Sequence, residues 1–125
     1  MPPAAYAAIV IEVVVSDEFR SWYEPLEERE QEAVFRVVTL LQERGVKLGF
    51  PYSSAVSGSR HPLRELRVQA SGRPFRVFYC FDPDRQAVLL IGGDKTGKDR
   101  FYEDFIPWAE AIWEGYLRER NAGKG

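Results

Sequence analysis

Three short segments, 63–69, 74–81 and 86–91, limit the possible folds more than any other feature of the chain. Apolar and polar side chains alternate in the first, the second places its aromatic residues and Arg76 in two alternating sets, and the third is apolar. Alternation with a period of two is typical of a strand that has one face in the core. Asp82-Pro83-Asp84-Arg85, between the second and third segments, has the composition of a turn. Strands this close in sequence pair with one another, so the pattern predicts a three-stranded antiparallel meander.

The residues before the meander predict one more strand and two helices. Residues 9–15 are almost all β-branched, which favours a central or nearly central strand. A short helix around Trp22 should end near Pro25. A second helix is predicted from 28 to 44, because apolar residues recur there at helical spacing, acidic residues crowd its start and Gly45 follows its end.

The remaining segments predict a loop and a C-terminal helix. Residues 46–62 contain Gly, Pro and Ser without clear periodicity and should form a surface loop. After the glycine-containing stretch 92–97, an apolar stripe with a period near 3.6 predicts the last helix. Pro107 lies inside this stripe, which indicates a kink or the start of a second helix. Residues 121–125 are expected to be frayed.

This order of elements predicts an α+β fold. Helices that precede the meander can only pack back on a sheet completed later, so we expect the helices mostly on one face of a largely antiparallel sheet. The opposite face should stay partly open. A length of 125 residues fits one domain, 1–125, and an apolar share of 45% argues against disorder over most of the chain.

The composition excludes several kinds of site. With one cysteine, Cys80, and one histidine, His61, the chain can form neither an internal disulfide nor a Cys/His zinc site. The carboxylates show no spacing that suggests a metal cage, so no cofactor is expected. Glu12 interrupts the apolar N-terminal run, and no stretch reaches the roughly 20 apolar residues of a membrane span. We therefore expect a cytoplasmic protein that binds no membrane.

The charges are unevenly distributed along the chain. Residues 46–100 carry ten Lys/Arg and five Asp/Glu, whereas residues 1–45 carry nine Asp/Glu and four Lys/Arg. A net charge of −2 argues against a nucleic-acid protein, but local positive potential attracts phosphate whatever the total charge. An uneven distribution is equally compatible with a solvated surface and nothing more.

Arg67 and Arg76 fall on neighbouring predicted strands and can stand side by side on the sheet. An arginine on a strand is often only an exposed charge that protects an edge. Several converging cations are nevertheless unfavourable unless an anion pairs them, and phosphate is the obvious anion. The other candidate cations, near the strand ends and in the following loop, are Arg64, Arg73, Lys95, Lys98 and Arg100.

RNA can be cleaved without a metal ion. The 2′-hydroxyl attacks the adjacent phosphate once a base takes its proton, cations stabilise the phosphorane and an acid protonates the 5′-oxygen. Tyr102 could move a proton or stack on a base, although it also begins the apolar stripe of the last helix and fits the core. His61 is better explained as a solvated loop residue than as a general base. Asp94 is expected to order the turn after the third meander strand or cap the helix, since 92–97 lacks phosphate-loop spacing.

Motifs spread over nearly the whole chain beyond Val15 combine into one specific pattern. They are Leu66-Arg67-Val68-Gln69, Gly72-Arg73-Pro74-Phe75-Arg76-Val77-Phe78, Phe81-Asp82-Pro83, Leu90-Ile91-Gly92-Gly93-Asp94-Lys95-Thr96-Gly97, Phe101-Tyr102 and Ile106-Pro107. This combination closely resembles the phage-derived HigB-type toxins of the RelE/ParE superfamily. The resemblance implies a RelE-like fold and a type II toxin that cuts mRNA in the ribosomal A site. It also implies a HigA-like helix-turn-helix antitoxin as the partner.

The resemblance further implies that Arg67, Arg76, Lys95 and Tyr102 are catalytic, with Arg76 on the scissile phosphate. Where RelE itself carries a lysine two positions before the arginine of its first meander strand, this chain has Glu65. Glu65 could replace the lysine as a general base or pair with Arg67. A ParE-like poison of DNA gyrase and a non-catalytic module that binds an antitoxin share the fold, so both stay open as alternatives.

Overall fold

Within residues 10–123, which this computed structural model describes, five strands form one mixed sheet and three α-helices pack on it. The strands are β1 (Val13–Val15), β2 (Ser53–Ala55), β3 (Arg64–Ala70), β4 (Arg73–Phe81) and β5 (Ala87–Asp94). The helices are α1 (Asp17–Tyr23), α2 (Glu28–Arg44) and α3 (Phe101–Gly123), and a 3₁₀ turn, Gly45–Lys47, follows α2. The sheet order is β1-β5-β4-β3-β2, which confirms the α+β class and is consistent with a RelE-like fold.

The predicted antiparallel meander is confirmed as β3, β4 and β5. Ser71 and Gly72 connect β3 to β4 with φ angles of 51° and 74°. Positive φ at both positions is the geometry of a two-residue hairpin turn that matches the twist of the strands. At the next connection the Arg85 amide donates to the Asp82 carbonyl at 2.8 Å, as expected for a turn there.

Strand β1 lies at an edge of the sheet, so the expectation of a central or nearly central strand was wrong. It pairs in parallel with β5. Val13 packs against the core on one face of the sheet and Val14 against the core on the other. The β-branched run therefore reflects two covered faces and not two neighbouring strands. The strand begins at Val13, and position 9, where it was expected to begin, lies outside the described residues.

Residues 46–62 include a short strand where only a loop was expected. In β2, Ser53 pairs with Leu66 and Ser54 with Glu65, and the strand forms the other edge of the sheet. Three small residues carry no strand periodicity of their own. The segment is extended because it pairs with β3, and not because its own residues favour a strand.

Strand β5 continues through Gly92 and Gly93, which were expected to follow the strand. A Cβ atom at Gly92 would lie 2.3 Å from the Trp22 ring, and one at Gly93 would lie 2.6 Å from the Phe105 ring. Glycine is needed at both positions because α1 and α3 approach the sheet closely there, from opposite sides.

The helices cover both faces of the sheet, so the expectation that they lie mostly on one face was wrong. On one face, α1 and α2 share a core with Leu66 and Val77. On the other face, α3 packs against Phe78 and Leu90 and contributes its own Trp113 to this core. Successive residues of a strand point to opposite faces of the sheet. Where α3 covers the second face, the residues on both faces of a strand can therefore be apolar.

The last helix is continuous. Pro107 lies inside α3, so the start of a second helix at that position was wrong. Proline removes one backbone donor, and burial of Ala109 and Trp113 in the next turns offsets this cost. The helix includes residues 121–123, which were expected to be frayed, and residues 124–125 lie outside the described part of the chain. No helix within residues 10–123 is long and apolar enough to cross a membrane.

Candidate functional site

The register of the meander brings the two strand arginines together. Arg67 on β3 is the direct partner of Arg76 on β4, and Arg76 is in turn opposite Gly93 on β5. Glu65 lies two residues before Arg67 and therefore points to the same face of the sheet. This is the face that α3 covers. The side-by-side placement of Arg67 and Arg76 expected from the alternation is confirmed.

Glu65 is the centre of a polar cluster at the start of α3. Its side chain is buried, with a residue exposure of 4%. Oε1 accepts a hydrogen bond from the Tyr102 hydroxyl at 2.7 Å and lies 3.7 Å from Arg76 Nε. Oε2 accepts from Ser54 Oγ at 2.9 Å and from Arg67 Nη1 at 3.3 Å. The pairing of Glu65 with Arg67, one of its two expected roles, is present in the structure.

Arg76 is buried, with an exposure of 7%, so the expectation of a side chain on an open sheet face was wrong. The physical reason is that α3 lies over this face. Arg76 Nη1 donates to the Phe75 carbonyl at 3.0 Å. Within residues 10–123, Arg76 Nε is buried and has no hydrogen-bond partner. A buried donor without a hydrogen-bond partner costs free energy.

Tyr102 lies in the first turn of α3, between Glu65 and Lys95. Burial raises the pKa of its hydroxyl, and the hydrogen bond to Glu65 and the charge of that carboxylate raise the pKa further, while Arg76 acts in the opposite direction. Lys95 Nζ lies 5.1 Å from the centroid of the Tyr102 ring, in a cation–π contact. The phenol is therefore protonated at neutral pH and donates its hydrogen bond to Glu65. We call Glu65, Arg67, Arg76, Lys95 and Tyr102 the Glu65 cluster.

Two of the predicted phosphate-binding cations lie on the other face of the sheet. Arg64 Nε donates to Ser53 Oγ at 3.2 Å, on the side where α2 packs. Arg73 forms ion pairs with Glu30 and Asp94. The structure therefore does not bring Arg64 or Arg73 to the Glu65 cluster, and the charge of Arg73 is already balanced.

The cations of the loop before α3 stay at the surface. Lys98 and Arg100 are exposed, and Arg100 pairs with Glu103 at 2.8 Å. Asp94 orders the turn as expected: its Oδ1 accepts from the Thr96 amide at 2.9 Å and from the Thr96 hydroxyl at 2.6 Å. Lys98 and Arg100 remain candidates for contacts with a longer ligand.

His61 is partly buried and contacts a carboxylate of α3. Its Nε2 lies 2.7 Å from Glu114 Oε2 on α3, and Arg60 Nη2 donates to the same oxygen at 2.6 Å. The side chain is 24% exposed, so the expectation of a solvated loop histidine was only partly right. His61 helps to hold the loop before β3 against α3.

Two residues at this site were missed in the sequence. Ser54 was missed because β2 has no recognisable strand pattern. Phe50 was missed because it lies in the same loop, yet the Arg67 guanidinium carbon lies 5.3 Å from the centroid of its ring. For metals, the described part of the chain contains no group of three or more His, Cys, Asp or Glu side chains that could hold an ion.

Comparison with known proteins gives a family and two relatives. Residues 21–114 match the model of the family described as "Phage derived protein Gp49-like (DUF891)". Two proteins of Mycobacterium tuberculosis (strain ATCC 25618 / H37Rv) are similar. One, named "Putative toxin HigB2", is 35% identical over 102 residues, which are 79% of this chain and 51% of the relative. The other, named "Putative toxin HigB3", is 34% identical over 113 residues, which are 89% of this chain and 97% of the relative.

Proposed function

We propose that this chain is the toxin of a toxin–antitoxin pair and that it cleaves RNA. The chain belongs to the phage-derived Gp49-like family and is similar to the two proteins named "Putative toxin HigB2" and "Putative toxin HigB3". Its substrate is mRNA in the ribosomal A site, and its reaction needs no metal ion. Its partners are the ribosome and a HigA-like helix-turn-helix antitoxin, and it acts in the cytoplasm as a single domain.

The observation that carries this proposal is the excess positive charge around a buried arginine. Arg67 and Arg76 lie beside one carboxylate, Glu65, and Lys95 lies over the ring of Tyr102, whose hydroxyl donates to that carboxylate. Glu65 and Arg76 are buried, while Arg67 is partly exposed. A phosphodiester carries one negative charge, and the phosphorane formed by attack of the 2′-hydroxyl carries one more. Fixed cations in a site of low dielectric constant stabilise this additional charge without reorganising.

The contacts support different roles within the Glu65 cluster. Arg67, whose side chain is 31% exposed, is placed to bind the scissile phosphate, and Arg76, buried beside it, adds positive charge behind that position. Tyr102 is kept protonated, so it is suited to protonate the leaving 5′-oxygen. Glu65 already accepts hydrogen bonds on both oxygens and is buried, so it positions Arg67 and Tyr102 and is not placed to take a proton from the substrate. The proton of the attacking 2′-hydroxyl therefore passes to solvent water on the exposed side of Arg67, while Tyr102 gives its proton to the 5′-oxygen.

The test uses inducible expression in cells that lack the antitoxin. A translation-blocking nuclease should reduce incorporation of labelled amino acids within minutes, before incorporation of labelled thymidine falls. Arg67→Ala should abolish this effect, since it removes a cation from the Glu65 cluster.

Arg64→Ala is the matched control, because Arg64 lies on the same strand and points to the opposite face. It should arrest growth as the wild type does. A fall in thymidine incorporation first, with induction of the DNA-damage response, would instead indicate a gyrase poison. Equal toxicity of wild type and Arg67→Ala would contradict the assigned site.

A further inference from the structure

A groove of about 1100 Å³ runs beside the Glu65 cluster, between α2 and the loop before β2. Arg67 and Arg76 are among its lining residues, so the groove is continuous with the proposed phosphate site. Its walls contain three aromatic side chains that the proposed chemistry does not use: Phe35, Phe50 and Tyr52.

Phe50 is the most exposed of these rings, at 77%. An isolated exposed phenylalanine is common at protein surfaces. This one differs because the Arg67 guanidinium covers one side of the ring at 5.3 Å from its centroid. The contact places the ring beside the arginine proposed to bind phosphate, and most of the ring stays exposed.

We infer that Phe50 is a stacking platform for an unpaired base of the RNA next to the scissile phosphate. The inference deepens the proposed RNA cleavage and rests on it. A nucleotide whose phosphate is held by Arg67 can reach Phe50 with its base, because Phe50 is the exposed aromatic surface in contact with that arginine. Stacking on an aromatic ring holds unpaired bases without reading their sequence.

Stacking would also act on the chemistry. In-line attack requires the 2′-oxygen, the phosphorus and the leaving oxygen to be aligned, and a fixed base restricts rotation of the nucleotide that carries them. The Arg67 guanidinium lies on one face of the Phe50 ring, so it does not compete with a base that stacks on the other face. Phe50 is therefore a positioning residue for the substrate.

The test uses ribosomes programmed with short mRNAs whose A-site codon contains 2′-deoxynucleotides, which cannot be cleaved by 2′-hydroxyl attack. Each mRNA carries one 2-aminopurine at a different codon position, and its fluorescence reports stacking. Wild-type protein should quench the probe at one position. Phe50→Ala should lose this quenching and bind roughly tenfold more weakly, within the range expected for one stacked base. Phe50→Trp should keep both properties.

An abasic nucleotide at the quenched position supplies the second arm. Wild type and Phe50→Ala should then bind with equal affinity, since the partner of the ring is gone. Trp108→Ala is the control for loss of an exposed aromatic ring, because Trp108 is 47% exposed on α3 and is not among the residues that line the groove. It should bind and quench as the wild type does.

The outcomes separate this inference from the proposed function. Equal quenching and affinity for wild type and Phe50→Ala would overturn the stacking role while unmodified mRNA is still cut. If Phe50→Ala bound RNA normally but bound the antitoxin more weakly, the ring would belong to the antitoxin interface. This result would also overturn the stacking role. Failure of the wild type to bind programmed ribosomes, or to cut unmodified mRNA on them, would contradict the proposed function itself.

Discussion

At the scale of single residues, burial decides what Arg76 can do. Its guanidinium is held between the Phe75 carbonyl and Glu65, with Nε lacking a hydrogen-bond partner among the described residues. An exposed arginine would spend much of its time paired with water and counter-ions. A buried one is already oriented and desolvated, so an incoming phosphate gains its full interaction.

We predict that Arg76→Ala lowers the cleavage rate about 10²–10³-fold, the usual effect of losing one preorganised donor. Because the side chain is buried, the variant should also lose about 1–3 kcal/mol of unfolding free energy. Arg76→Lys should restore part of the rate, since an ammonium group cannot reproduce the planar donors of arginine. Cleavage on programmed ribosomes and urea denaturation measure the two effects separately.

Cleavage by Arg76→Ala at the wild-type rate would remove Arg76 from the site. If the cleavage rate of Arg76→Ala fell only in proportion to its folded fraction in the urea titration, Arg76 would have a structural role only. The rate is therefore compared under conditions in which circular dichroism shows both variants to be folded.

Part of the Glu65 cluster follows directly from the sequence. Arg67 and Arg76 meet because strand alternation and a short hairpin set their register, and both are local features. The contact between Tyr102 and Glu65 is not local: 37 positions separate them, and the contact depends on how α3 crosses the sheet. Burial of Arg76 depends on the same crossing, which is why the sequence pattern placed its side chain on an open face.

At the scale of elements, Gly93 sets how closely α3 approaches the sheet next to Arg76. A Cβ atom there would lie 2.6 Å from Phe105 Cζ and 2.9 Å from Phe101 Cε1. Both rings belong to the first turns of α3, beside Tyr102. The close approach at Gly93 thereby sets the position of Tyr102, for which we propose a catalytic role.

We predict that Gly93→Ala destabilises the fold by about 1–3 kcal/mol, as expected for overpacking, and lowers the cleavage rate by moving Tyr102 away from Glu65. Gly115→Ala is the matched control on α3, where the nearest atom to a new Cβ lies 3.8 Å away. It should leave activity unchanged and add up to about 1 kcal/mol of helix stability. Denaturant unfolding and cleavage assays are the measurements, and equal behaviour of the two variants would contradict close packing at Gly93.

The elements differ in how far the sequence determined them. Helix α2 occupies 28–44 as predicted, since periodicity, an acidic start and Gly45 all agree. Strand β2 could not be predicted, because its conformation comes from pairing with β3. The glycines at the end of β5 looked like a loop because the helices that pack against them are not visible in a local pattern.

At the scale of the whole molecule, a network of charges ties the segment before β3 to α3. Glu110 Oε2 accepts from the Arg60 amide and from Ser59 Oγ, both at 2.8 Å. The Arg60 amide, the Ser59 hydroxyl and the Arg60 charge lower the pKa of Glu110 below its ordinary value of 4.5, against the effect of burial. The folded state therefore favours the ionised carboxylate.

We predict acid lability from this network. A lowered pKa in the folded state means that Glu110 stabilises the fold above its ordinary pKa, and that this stabilisation is lost as the pH falls below about 4.5 and through the lowered value. Glu110→Gln should be less stable than wild type at pH 7, and the difference should shrink at pH 3. Urea midpoints at several pH values test this.

Glu103→Gln serves as the control, because Glu103 is an exposed carboxylate of the same helix and pairs with the exposed Arg100. Its urea midpoint should stay close to that of the wild type at every pH. A Glu110→Gln variant whose deficit stays constant from pH 7 to pH 3 would show that the charge of Glu110 does not contribute.

The measurement that tests the central claim most directly is the chemistry of the RNA ends. Wild-type protein is incubated with programmed ribosomes, and the mRNA fragments are purified and analysed. Attack by the 2′-hydroxyl, driven by Arg67, Arg76 and Tyr102, predicts a 2′,3′-cyclic phosphate on the upstream fragment and a 5′-hydroxyl on the downstream fragment. A 3′-hydroxyl and a 5′-phosphate would indicate metal-activated water and would contradict the proposed mechanism.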